Sequence, residues 1–107
     1  MVKLTYWRVG PAEQDLALLD EVVMFYVYVL KSEVNGDIYV GYSSDLKRRF
    51  KEHNEGESKF TKGYRPWTLI YYEAYRIRED ATKREVELKG HRAKEFLKEH
   101  IKESLNI

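Results

Sequence analysis

The chain has 107 residues, with 19 Lys and Arg against 18 Asp and Glu and a formal charge of +1. That length supports one small domain near the lower end of what buries a self-sufficient core, and 14% aromatics, nine of them Tyr, argue against disorder. The lack of Cys excludes disulfide frameworks, thiolate catalysis and zinc knuckles, and the longest apolar run, Val22 to Leu30, is too short to span a bilayer. The chain does not open with a basic segment, an apolar stretch and a small-residue cleavage site, so a cytoplasmic setting is the expectation.

Residues 1–23 carry two basic against four acidic side chains, a net of −2, which leaves 17 against 14, or +3, for residues 24–107. Gly10-Pro11 is a breaker pair, and Ala12–Val22 then has the pattern of two or three turns of amphipathic helix. The expected division is an N-terminal extension over 1–23, loosely ordered, and a functional domain over 24–107. Phe25-Tyr26-Val27-Tyr28-Val29-Leu30 is aromatic and β-branched and reads as a strand. Asn35-Gly36 is a turn signal, after which Asp37–Tyr42 returns as a second strand. Ser43-Ser44-Asp45 offers N-cap side chains for a helix from Leu46 to about Asn54. Gly56 to Pro66 reads as a loop, and Trp67–Tyr75 as a third strand, apolar enough to be covered on both faces. Asp80 is expected to cap a helix running through Lys89, and a last helix starts near Arg92 with Phe96, Leu97 and Ile101 as its apolar stripe. The order β-β-α-β-α-α predicts an α+β domain: a small three-stranded antiparallel sheet flanked by helices.

Polar residues at apolar-face positions carry the functional signal. With Leu46 at zero on the first helix, Phe50 falls at about 40°, His53 at about −20° and Arg49 at about −60°. Lys47, Arg48, Lys51, Glu52 and Asn54 occupy the solvent side. A guanidinium facing inward needs a carboxylate partner or lines a cleft that takes an anion; the ordinary alternatives are a snorkelling Arg and a packed His. On the next helix Glu85 lies about 40° from Ala81, on the stripe that also holds Leu88. A carboxylate there is paired with a cation, such as Lys89 or Arg49, or serves as a ligand for a hard metal ion. In the hairpin, an even-numbered loop puts Tyr28 and Tyr39 on one sheet face. A four-residue loop over Ser32–Asn35 sets them directly opposite; a two-residue Asn-Gly turn offsets them by about four positions. Gly41 inside a strand pattern signals a close approach to the backbone.

Together these residues resemble the GIY-YIG nuclease superfamily, in its small stand-alone bacterial form, and are similar to the N-terminal nuclease domain of the bacterial excision-repair endonuclease. Tyr26-Val27-Tyr28 stands at the first motif and Tyr39-Val40-Gly41 at the second, with ten residues between Tyr28 and Tyr39. Asp45 to Asn54 resembles the helix that carries the family's essential Arg. Arg65-Pro66-Trp67 leading to Tyr71-Tyr72-Glu73 resembles the third strand, and Lys83-Arg84-Glu85 the helix presenting the metal-binding Glu. Tyr26 and Val27 replace the name-giving Gly and Ile, and Asn106 is the one late Asn.

The resemblance implies a divalent-metal-dependent endonuclease acting on DNA in repair or recombination. Tyr28, Tyr39, Arg49 and His53 would be catalytic, and Glu85 would hold Mg²⁺ or Mn²⁺. It implies that Tyr28 acts as general base or positions the water, and that Arg49 clamps the phosphate. Lys47, Arg48, Lys51, Lys59, Lys62 and Arg65 form the expected nucleic-acid-binding set, diluted by Glu52, Glu55 and Glu57. Trp67, Tyr64 and Phe60, which lie among them, either stack on a base or pack. A monomer is expected, with a protein partner supplying specificity. The competing readings are a non-catalytic nucleic-acid-binding module that keeps the fold and a Tyr-rich protein-interaction domain. The proposed division predicts that deleting residues 1–23 leaves a chain with an unchanged circular-dichroism spectrum and a cooperative melt; loss of folding refutes it.

Overall fold

The computed structural model describes residues 22–106. The extension therefore lies outside the described residues, as does its expected helix over Ala12–Val22, except for Val22 and Val23. Those two residues are exposed, and the Val23 carbonyl accepts a hydrogen bond from Arg76 at 3.1 Å. Two strands follow, β1 (Phe25–Ser32) and β2 (Ile38–Ser43), then α1 (Leu46–Glu55). A single 3₁₀ turn (Lys62–Tyr64) interrupts the connection to β3 (Trp67–Tyr75), after which come α2 (Arg78–Lys89), α3 (His91–His100) and the short α4 (Lys102–Leu105).

The three strands form one antiparallel sheet in the order β2-β1-β3. The central position explains the burial of β1, in which Val27, Tyr28, Val29 and Leu30 are each at most 1% exposed. Alternation sends Val27 and Val29 to one face, where they pack with Val40, Ala81, Leu88 and Leu97 under α2 and α3. Tyr28 and Leu30 go to the other face, against Trp67, Leu46 and Phe50 under α1. Each fully buried aliphatic side chain contributes about 1.5–3 kcal/mol.

Local chemistry sets the boundaries. The hairpin loop has four residues, 33–36, closed by Ser32 N–H donating to Asp37 O at 2.8 Å. Gly36 takes the left-handed conformation at φ 77°, and the Ser32 hydroxyl accepts from the amides of Val34 and Asn35. Asp45 caps α1 by accepting from Arg48 N–H at 3.1 Å, in keeping with its position just before Leu46.

Several expectations need correction. β3 is an edge strand and is not covered on both faces: Tyr72 is 53% exposed. Asp80 is not the cap of α2; the helix starts at Arg78, and Asp80 lies with Glu79 in its first turn, where negative charge suits the helix dipole. Phe96 is not on the apolar stripe of α3. That stripe runs through Ala93, Leu97 and Ile101 at four-residue spacing, and Phe96, off this line, is 79% exposed.

The hairpin register falls between the two anticipated ones. Tyr28 pairs with Gly41, and Tyr39 with Leu30, so the two tyrosines share a face with an offset of two. This places the Tyr28 ring across Gly41. A Cβ on residue 41 would overlap the ring's Cζ and hydroxyl and lie 2.8 Å from Cε2. The close approach signalled by Gly41 is thus the phenol of its own cross-strand partner. Gly41→Ala must displace a ring that is 1% exposed, and it is expected to cost about 1–3 kcal/mol in urea denaturation, the usual range for overpacking.

Candidate active site

The site is built outward from Tyr28. Its ring leaves β1, crosses Gly41 and ends with the hydroxyl 2.8 Å from His53 Nε2. His53 projects from the buried side of α1 and is 0% exposed, so both ring nitrogens need partners within the protein. Nδ1 finds the Thr61 hydroxyl at 2.7 Å. If Tyr28 donates to Nε2, then Nδ1–H donates to Thr61; the opposite tautomer reverses both bonds and satisfies the same atoms. Tyr39 packs against both rings, 6.4 Å from Tyr28 and 5.0 Å from His53 between centroids.

Burial dominates the titration of this pair. It pushes Tyr28 up to about 12; the charges of Tyr39 and Glu85 add to the rise, and Arg49 opposes it. Burial, and after it the Arg49 charge, pushes His53 down to about 4, with Glu52 opposing. Near neutral pH the phenol keeps its proton and the imidazole carries no charge.

Arg49 lies on the flank of α1 facing this cluster. Burial disfavours its charge, but Glu52, Tyr28 and Tyr39 outweigh that, and its pKa stands above the ordinary value. Glu52 is its ion-pair partner at 3.0 Å, with the Arg49 side chain 32% exposed. The guanidinium therefore has both a carboxylate partner and an open side. Helical angles place Glu52 toward solvent, and the one sequence signal for this pair is its spacing of three residues. Thr61 has no such signal, because it sits in a loop without periodicity.

Glu85 stands on α2, which packs on the other sheet face. α2 packs beneath Val40 of β2, the edge strand over which the Tyr28 hydroxyl lies, and the Glu85 charge is felt there. The preceding residue anchors the helix: Arg84 Nε and Nη2 donate to Glu73 of β3 at 2.9 and 3.1 Å. Tyr71 and Tyr75 also donate to Glu73. Burial would raise the Glu73 carboxyl, yet the bonds from Arg84, Tyr71 and Tyr75 hold it below its usual value. Glu85 itself meets Lys89 Nζ at 3.4 Å, an i,i+4 pair whose Lys is 54% exposed. Such a pair is worth about 0.3–0.5 kcal/mol and yields readily to a stronger cation.

The basic set is exposed throughout but does not form one surface devoted to phosphate. Lys51 pairs with Glu55 at 3.7 Å and Arg48 with Glu52 at 3.8 Å. Arg65 lies across Gly56 at the C-terminus of α1, where a cation suits the helix dipole. Lys47, Lys59 and Lys62 are exposed, the first on α1 and the others around the 3₁₀ turn. Of the interleaved aromatics, Trp67 is buried, with its indole N–H donating to Thr61 O at 2.9 Å, whereas Phe60 and Tyr64 are exposed. Asn106 is exposed at the end of α4 and does not join the cluster around Tyr28.

The small sheet thus sets the Tyr28–Tyr39 pair beside Arg49 on one face, with α2 and its Glu85 on the other. Residues 24–99 match the model of the GIY-YIG catalytic domain, and the chain belongs to that family. Its relatives include the UPF0213 protein of Staphylococcus aureus strain Mu3, 42% identical over 65 residues covering 60% of this chain and 78% of that protein. The UPF0213 protein of Staphylococcus saprophyticus is 40% identical over the same length and coverage. The solution NMR structure of a UPF0213 protein from Bacillus halodurans is 38% identical, covering 69% of this chain and 81% of that one, with a TM-score of 0.46. Among the described residues, no helix is long and apolar enough to cross a membrane.

His53 makes stability depend on pH. The groups facing it are Tyr28, Tyr39, Thr61, Arg49 and Glu52. Between about pH 6.5 and 4 the unfolded chain binds a proton there that the folded chain refuses. Stability is then full above that window and falls as pH drops through it, by up to about 1.4 kcal/mol per pH unit. Urea denaturation from pH 7 down to about 5 checks this, and His53→Gln should flatten the slope over that range.

Proposed function

We propose that this chain is a divalent-metal-dependent endonuclease that hydrolyses DNA phosphodiester bonds, with a role in DNA repair or recombination. The observation that carries the reading is convergence: β2 and α1 set Tyr39 and Arg49 beside the Tyr28 phenol of β1, with the two tyrosine rings 6.4 Å apart. The charges of Tyr39, Arg49 and, most weakly, Glu85 of α2 act on that hydroxyl. Membership of the GIY-YIG catalytic domain family supports it.

The donor set fits a hard divalent ion. Among the described residues there is no group of three or more His, Cys, Asp or Glu arranged to hold a metal, so Glu85 acts as a single carboxylate. That suits Mg²⁺ or Mn²⁺, which keep water and take substrate phosphate as further ligands, and does not suit a closed zinc site. When bound there, the ion supplies positive charge that acidifies a nearby water and offsets charge on the phosphoryl oxygens.

The chain's own residues do the rest. Arg49 donates to a non-bridging phosphate oxygen from its open side, while Glu52 holds the guanidinium in place. Neither Tyr28 nor His53 takes a proton readily near neutrality, given values of about 12 and about 4. The pair therefore positions: with its proton donated to His53 Nε2, the Tyr28 oxygen turns its lone pairs toward an attacking water. Tyr39 closes the other side of the two rings and restricts access of bulk solvent.

The test is a panel of single-stranded, flapped, branched and duplex DNA, incubated with and without Mg²⁺ or Mn²⁺. Cleavage should require the ion. Arg49→Ala and Glu85→Ala should each reduce nicking by at least about 100-fold, the scale for removing a group that stabilises transition-state charge, while the far-UV spectrum stays unchanged. Undiminished cleavage by either variant refutes the assignment. Binding without cleavage by the unaltered chain would instead favour the non-catalytic module.

A further inference from the structure

The sheet face that carries Tyr28 continues into two aromatic side chains that the proposed hydrolysis does not use. Tyr72 pairs directly with Tyr28 across β1 and β3, and Tyr26 lies two residues before Tyr28 on the same face. The Tyr26 and Tyr72 rings meet at 5.9 Å and 66°, which fixes the Tyr72 ring without covering it; it remains 53% exposed. The reason is the reach of α1. Its Leu46 and Phe50 pack with Leu30, Trp67 and Leu69 and leave Tyr72 open.

What remains is a groove of about 390 Å³ that Leu69 helps to line. Tyr26 and Tyr72 from the sheet and Leu46, Lys47 and Phe50 from α1 line it. Its size is at the low end of small-ligand sites, which span about 300–1,000 Å³. Asp45 also borders it, but one of that carboxylate's oxygens is committed to capping α1. A half-exposed ring, apolar side chains and a cation are the components that hold an unstacked base and its phosphate. The bases of an intact duplex are stacked on each other and present only edges to a protein, so only an unpaired nucleotide can use this ring face.

We propose that Tyr72, braced by Tyr26, is a stacking position for an unpaired nucleobase next to the scissile phosphate, with Lys47 on the adjoining backbone. Only the word "scissile" rests on the nuclease reading; the stacking step does not. The substrate class that follows is DNA with an unpaired nucleotide at the site, in preference to continuous duplex.

The full chain is tested by fluorescence anisotropy with a short labelled oligothymidylate and with a blunt duplex, in the absence of divalent ions so that no cleavage intervenes. The expected result is single-strand binding that Tyr72→Ala weakens roughly tenfold or more and Tyr72→Phe preserves, with duplex binding far less affected. Abasic sites in the oligonucleotide should cost the unaltered chain the same factor and cost Tyr72→Ala nothing further. Circular dichroism confirms that the exposed substitution leaves the fold intact. The proposal is overturned by absent single-strand binding, by no loss in Tyr72→Ala, by equal loss on duplex, or by Tyr72→Phe behaving like Tyr72→Ala. Cleavage of the same oligonucleotides in Mg²⁺ separates the two readings. No cleavage with the binding pattern intact sinks the nuclease and spares the platform, whereas Arg49-dependent cleavage without that pattern does the reverse.

Discussion

The Tyr28 phenol can reach His53 because residue 41 has no side chain. The ring crosses the edge strand at Gly41, and its hydroxyl then meets the one imidazole nitrogen that α1 leaves facing the sheet. Much else follows from that crossing. It seals His53 away from water, which keeps the imidazole neutral, and it brings the hydroxyl over β2 to where Arg49 and Glu85 can act on it. The Tyr28–His53–Thr61 chain also ties β1, α1 and the loop after α1 together through buried hydrogen bonds. A buried polar network of this kind rigidifies a site only when every member is satisfied, and here both ring nitrogens are.

The two sheet faces divide the work. One carries the aromatic row and α1, so its polar groups touch a shielded space where a charge acts strongly. The other is the larger apolar core, at whose edge the partly buried carboxylate of Glu73 binds Arg84 and two tyrosines. That pairing holds α2 on the sheet at the residue immediately before Glu85. In the proposed nuclease, a carboxylate that holds an ion with few other protein ligands must be placed by its helix, because neighbouring ligands cannot correct its position. The near-neutral total charge fits the same economy: the cations that matter are individually placed, and several of the surface ones are partly offset by Glu52 and Glu55.

Much of this was legible in the residues themselves. Helical angles placed Arg49, His53 and Glu85 off the solvent faces of their helices, because that periodicity is a property of the local backbone. β3 was delimited as Trp67–Tyr75, since that stretch after Pro66 is rich in aromatic and β-branched residues. Alternation said that the two tyrosines share a face given an even loop, and Gly41 announced a close approach.

The remainder depended on contacts between distant segments, which no local rule contains. The offset of two in the hairpin arose from how Ser32, Asn35 and Gly36 close a four-residue loop. Thr61 became a partner of His53 only because the loop returns beneath α1. Phe96 looked apolar and turned outward, since Ala93, Leu97 and Ile101 already fill the line facing the core. Tyr72 stayed open because Leu46 and Phe50 of α1 pack with Leu30 and Trp67 and leave a groove beside it. The sequence by itself determined which positions of an element share a face, as that follows from backbone geometry within one element. Only the tertiary structure decided what each of them meets there, because the partner always comes from another element.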